Sequence, residues 1–166
     1  MTTRRGRENL PAWAGGLDVR FFDFSEHGNY DELCRGVDAI VHLAAFNAQQ
    51  CAVNPEAAER VNVGGTQYIV AAAERARIGR FVYASTAHVY GAPLIGSLDE
   101  TAPPRPAHPY ATTHLAAEDV VLAAAGVMEN RRMTVHWEHA GLLAEISPNL
   151  QIERTLYVID RDRITC

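Results

Sequence analysis

The chain has 166 residues, 48% apolar and 21% charged, with a net charge of −5; this is the balance of one ordinary globular domain and excludes disorder, collagen and coiled coil. No basic stripe points to nucleic acid, and no apolar run approaches the roughly 18 residues that cross a membrane. All fifteen basic residues are arginine, which removes Schiff-base chemistry, a Walker-type phosphate lysine and a Ser-x-x-Lys nucleophile.

Arg4, Arg5 and Arg7 are followed by no apolar stretch, so they read as a solvated start and not as a secretory signal. Residues 17–24 (LDVRFFDF) are rich in strand-forming types. Asn29, Tyr30, Asp31 and Glu32 have the form of a capping box opening a short helix, which Gly36 stops. Residues 37–43 (VDAIVHL) are an apolar run of the length and type of a strand buried on both faces of a parallel sheet. Asn54, Pro55 and Glu56 start a helix, and Ala58, Val61, Gly65, Ile69, Ala72 and Ala76 mark one face of it. Gly64 and Gly65 each cost about 1 kcal/mol there relative to alanine, which close packing against a strand would explain.

Residues 80–84 (RFVYA) form a further strand running into a Ser85-Thr86 turn. The stretch 92–109 holds five of the chain's eight prolines and reads as a long loop. Pro109 opens a helix to about residue 125, ended by Gly126. A strand is expected at 133–137, a short helix near 142–145 and a strand at 155–159. Alternating strands and helices define an α/β fold with a parallel sheet.

The three cysteines, Cys34, Cys51 and Cys166, are far apart and read as reduced thiols of a cytoplasmic protein. His136 and His139 lack a third ligand at zinc-like spacing and read as structural, so no metal is expected. His42 is expected to be buried and hydrogen-bonded, and His27 and His108 to lie in loops. The informative pair is Tyr110 and His114, one turn apart on one helix face. Thr86 closes a strand, and ligands of open α/β sheets bind beyond the carboxyl ends of strands. By spacing alone, a tyrosine early in a helix is more often a packing residue.

The stretch Phe81-Val82-Tyr83-Ala84-Ser85-Thr86-Ala87-His88-Val89-Tyr90-Gly91, followed by Pro109-Tyr110-Ala111-Thr112-Thr113-His114-Leu115-Ala116-Ala117-Glu118, resembles the extended short-chain dehydrogenase/reductases, the NAD-dependent epimerases and dehydratases of nucleotide sugars. Residues 37–45 resemble their fourth strand and its cofactor-contacting turn. Asn62-Val63-Gly64-Gly65-Thr66 resembles their Asn-x-x-Gly-Thr helix motif. The four motifs stand in the family's order between about residues 18 and 126. The resemblance implies a Rossmann-like three-layer sandwich with a parallel sheet of four or five strands, incomplete relative to the full family fold. It implies NAD as cofactor, with NADP open, and cofactor contacts at Asp23, Phe24, Leu43, Ala44, Ala45, Asn62, Tyr110 and His114. Among these, Asp23 would meet the adenine amine, Ala44 and Ala45 would neighbour the ribose and pyrophosphate, and Asn62 would be a structural asparagine behind the nicotinamide pocket. Thr86 would hydrogen-bond the reacting sugar oxygen and Tyr110 would be the general base. A homodimer would form through the helices at 54–77 and 109–125.

Four departures qualify the resemblance. The family's Tyr-x-x-x-Lys is Tyr-x-x-x-His here; the lysine's fixed charge favours tyrosinate, whereas histidine is mostly neutral at pH 7. The acidic pair that follows the threonine in related dehydratases is Ala87-His88 here, which leans away from 4,6-dehydration. The glycine-rich phosphate loop and its strand are not found, so the strands from Leu17 and Val37 must pair directly or each exposes an edge, and residues 138–166 do not resemble the family's substrate lobe. The reading is therefore a partial NAD(P)-binding domain over 1–137 with a divergent tail over 138–166, of reduced or no activity. The rival is a non-catalytic Rossmann fragment that binds nucleotide weakly or pairs with a partner chain.

Overall fold

The computed structural model describes residues 1–3, 9–24, 28–94, 96–98 and 102–126, and the backbone of short strands at 132–133, 151–152, 158–160 and 163–165. Side-chain caps set where its helices begin. Helix α1 (Tyr30–Cys34) starts where the Asn29 side chain accepts from the Glu32 amide at 3.2 Å. The box expected there thus shows its asparagine-to-amide half. Helix α2 (Ala48–Val53), which the sequence reading did not anticipate, has a full capping box between Asn47 and Gln50. Asn54 caps α3 (Pro55–Ala58) and His108 caps α5 (Pro109–Ala124), each followed by proline at the first helical position. Such caps stabilise a helix by about 1 kcal/mol each.

The expected single helix from Asn54 is continuous but not uniform. After α3 it widens to a π-helical stretch at Glu59–Gly64 before resuming as α4 (Gly65–Arg75). Gly65 is closely packed, against Phe24 in a turn and not against a strand: a Cβ there would lie 3.2 Å from both the Cβ and the carbonyl oxygen of Phe24. Gly64 is not, since its nearest such neighbour is the Glu59 carbonyl at 4.0 Å.

Strands are shorter than expected. Strand β1 (Thr2–Thr3) pairs in parallel with β2 (Arg20–Phe21), and β3 (Ala39–His42) pairs in parallel with β4 (Arg80–Tyr83). Further along, β5 (Arg132–Met133) pairs in parallel with β6 (Gln151–Ile152), and β7 (Val158–Asp160) pairs antiparallel with β8 (Arg163–Thr165). The strands expected at 133–137 and 155–159 are met only at Met133 and at Val158–Ile159; the rest of both, the helix near 142–145, and His27, His136 and His139 lie outside the described residues.

The α/β architecture is as expected, but the continuous sheet is replaced by two-stranded ladders. The direct pairing of β2 with β3 does not occur. The β1–β2 and β3–β4 ladders nonetheless rest on one helix layer: Phe22 and Phe24, beyond β2, and Ile40 and Phe81, from β3 and β4, pack on Tyr30, Cys34, Ile69 and Ala72. A second cluster of Val63, Val70, Val120 and Ala123 joins α4 to α5. Side chains alternate across a strand, so the opposite face of β3 and β4 carries Val41, 63% exposed, and Val82. This corrects the expectation of a strand buried on both faces: among the described residues helices cover one face only, so two layers stand in place of three.

Candidate active site

Strand β4 ends at Tyr83, and the chain turns through Ser85 and Thr86 into a 3₁₀ turn at Ala87–Tyr90. Thr86 caps that turn, its Oγ1 accepting from the His88 amide at 3.3 Å. Helix α5 brings Tyr110 to the same place. The His88 ring lies 6.4 Å from the Tyr110 ring and 5.4 Å from His108, which itself stacks on Tyr110 at 6.1 Å. Thr86 and Tyr110 therefore flank one residue, His88, beyond the end of β4. Sequence reasoning did not pick out His88 or His108 for this cluster; the signal was that one lies two residues after Thr86 and the other two before Tyr110.

His114 is 3% exposed and lies against Tyr110, ring centroids 4.2 Å apart. Its Nδ1 bonds the Tyr110 carbonyl oxygen at 2.8 Å. Burial holds its pKa below the ordinary histidine value, partly offset by that bond. The ring is neutral at pH 7, as the sequence implied. Glu118, the next residue on this face, accepts a hydrogen bond from the Ser85 hydroxyl. Burial raises its pKa, against the effect of Ser85. The Tyr83 hydroxyl is buried without a hydrogen-bond partner among the described residues, and burial, then nearby Glu118 and Tyr110, push its pKa up. The spacing 110, 114, 118 could have revealed Glu118, being the same helical face continued by one turn.

The residues assigned to the nucleotide by resemblance also meet. Asp23, Phe24, Leu43, Ala44 and Ala45 line one cavity of about 150 Å³ together with Thr2, Thr3, Phe22 and Val61. It opens between the β1–β2 and β3–β4 ladders, at the carboxyl ends of β2 and β3. Small-molecule sites usually measure roughly 300–1,000 Å³, so this volume suits a single ring system and not a whole dinucleotide. Asn62 does not face the cavity. It is buried, its Oδ1 accepts from the Phe46 amide at 2.6 Å, and its Nδ2 donates to Thr113 Oγ1 at 3.0 Å and to Cys51 Sγ at 3.5 Å. The Phe46 bond ties Asn62 to the loop after β3. His42 is buried as expected; Thr66 already donates its proton to the Asn62 carbonyl, so the His42 Nε2–H donates to Thr66 Oγ1 at 3.0 Å.

A parallel α/β frame with a cavity at the carboxyl ends of its strands defines the Rossmann-like class of folds. The family model described as NAD dependent epimerase/dehydratase matches residues 1–135. The chain belongs to that family. It is 39% identical over 118 residues to a dTDP-glucose 4,6-dehydratase of Streptomyces niveus, covering 69% of this chain and 35% of the relative. It is 37% identical over 121 residues to a UDP-glucose 4-epimerase of Streptomyces lividans, covering 69% and 35%. Its fold matches the dTDP-glucose 4,6-dehydratase DesIV of Streptomyces venezuelae, solved with NAD bound, with a TM-score of 0.58 at 35% identity over 70% of this chain and 37% of that one. The chain thus spans about a third of the length of the curated relatives it matches. No helix among the described residues is long and apolar enough to cross a membrane.

Proposed function

We propose that the chain is the NAD-binding part of an oxidoreductase of the epimerase/dehydratase type, acting on a nucleotide sugar or a similar hydroxyl substrate, with activity reduced by His114. One observation carries this reading: Thr86 and Tyr110 flank His88 at the end of β4, on the strand-end side where Asp23, Ala44 and Ala45 line a cavity.

The residues present fit the adenosine end of NAD. The cavity suits one ring, and Asp23 offers a carboxylate to an exocyclic amine. When bound, NAD would supply the hydride acceptor for the substrate carbon. Tyr110 would take the hydroxyl proton and Thr86 would hold the substrate oxygen. Neutral His114 would accept from a ribose hydroxyl where a lysine would donate. NADP is the alternative cofactor, and the functional unit would be residues 1–137, with 138–166 outside it. Work in the cytoplasm and a homodimer through the helices at 54–77 and 109–125 complete the reading.

Calorimetric titration with NAD tests it. Sub-millimolar binding by the wild-type chain, weakened tenfold or more in Asp23→Ala, is the expected result. Absence of binding would leave the rival, a non-catalytic fragment, which the neutral His114 favours.

A further inference from the structure

A chain of three hydrogen bonds runs through the interior from the wall of the nucleotide cavity to the turn that carries Tyr110. The Phe46 amide, next in sequence to cavity-lining Ala45, donates to Asn62 Oδ1 at 2.6 Å. Asn62 Nδ2 donates to Thr113 Oγ1 at 3.0 Å, and Thr113 Oγ1 donates to the Tyr110 carbonyl at 3.2 Å. Asn62 and Thr113 are both buried. Asn62 stands in the π-helical stretch at Glu59–Gly64, a local widening that proteins often place at functional sites.

We propose that Thr113 is a positioning residue that, through the structural asparagine Asn62, struts the 44–46 loop against the first turn of α5, holding the nucleotide cavity and the Tyr110 phenol in one register. The role of Tyr110 rests on the function proposed above; the strut itself does not.

The adjacent threonine shows what mere local satisfaction looks like. Thr112 is exposed and its hydroxyl donates to the His108 carbonyl at 3.3 Å, an ordinary bond back along its own helix. Thr113 makes the same kind of bond and in addition accepts one from another helix. Without its hydroxyl, Asn62 Nδ2 keeps only the Cys51 sulfur at 3.5 Å, a weak acceptor. The amide would then be free to turn, and the Phe46 amide would lose its fixed partner. The Tyr110 carbonyl would likewise lose one of the two side chains that bond it, leaving His114 Nδ1.

Amide hydrogen exchange and imidazole NMR resonances, read on the whole chain, test the strut. Removing one buried hydrogen bond should speed exchange of the Phe46 amide in Thr113→Val by about tenfold and shift the His114 ring resonances, with the amides of Val70 and Val120 unchanged. Thr112→Val should change none of these, and Thr113→Ser should restore both. The proposal is overturned by an unchanged Phe46 amide, by an equal effect of Thr112→Val, by failure of serine to rescue, or by faster exchange throughout α4 and α5. If Thr113→Val does not fold, Thr113→Ala is read in its place; failure of both makes Thr113 a core residue only and also overturns the proposal. Because no step uses NAD, absence of NAD binding would remove the proposed function and leave this result standing.

Discussion

His114 bonds through Nδ1 to the carbonyl oxygen of Tyr110, four residues back on the same helix, at 2.8 Å. A carbonyl oxygen can only accept, so the ring's proton is on Nδ1 and the neutral ring offers Nε2 as an acceptor. Burial keeps the ring neutral. The position that in the family's resemblance is a cationic donor is therefore an uncharged acceptor in this chain.

Replacing His114 by lysine should restore a fixed positive charge beside Tyr110. A neighbouring cation favours an ionised partner by roughly one to three pKa units. In His114→Lys, NAD-dependent oxidation of a nucleotide sugar at pH 7 should rise by about tenfold or more, and NAD should bind more tightly. Equal rates and equal affinity in the two proteins would count against the assigned role of His114.

Acid should destabilise the fold through His42. Burial, reinforced by nearby His114, depresses its pKa from 6.5 to about 4. Below pH 6.5 the unfolded imidazole takes up a proton that the folded one refuses until about pH 4, so the unfolded state binds more protons and stability falls as pH drops through that window. The loss is on the order of 3 kcal/mol. Urea unfolding at pH 7.5 and pH 4.5 measures it, and His42→Phe should flatten most of the difference.

Two neighbouring glycines should respond in opposite directions. Gly65→Ala places a Cβ 3.2 Å from the Phe24 backbone oxygen, and such overpacking costs about 1–3 kcal/mol. Gly64→Ala meets only the Glu59 carbonyl at 4.0 Å, in helical backbone, so it should stabilise by up to about 1 kcal/mol. Thermal or urea denaturation of both variants checks the sign of each.

The open face of β3 should promote self-association. Val41 is 63% and Leu43 70% exposed, and Phe21 of β2 is 70% exposed. Exposed apolar groups and unpaired strand edges favour contact between chains. Val41→Lys should leave unfolding free energy within about 0.5 kcal/mol of wild type and lower the apparent mass by light scattering at high concentration. An unchanged mass would place self-association elsewhere, as on the helices at 54–77 and 109–125.

The sequence by itself determined the starts of α3 and α5, because Asn54-Pro55 and His108-Pro109 carry their caps locally. It determined β3 and β4 as strands, because short β-branched and aromatic runs have few other uses. It also carried the family resemblance, and with it the residues Asp23, Phe24, Leu43, Ala44, Ala45, Thr86 and Tyr110. Which of these meet is a matter of long-range packing. The cavity between the ladders exists because β2 and β3 each take another strand as partner while sharing one helix layer, and no local pattern specifies an edge left unpaired. The exposed face of Val41 arose the same way: an apolar run reads as buried, but burial depends on whether another layer covers it. The neutral state of His114 and the commitment of Asn62 to Phe46 and Thr113 likewise depend on partners far away in sequence. Hydrogen-bond direction and desolvation are properties of a three-dimensional neighbourhood, and only the tertiary structure supplies one.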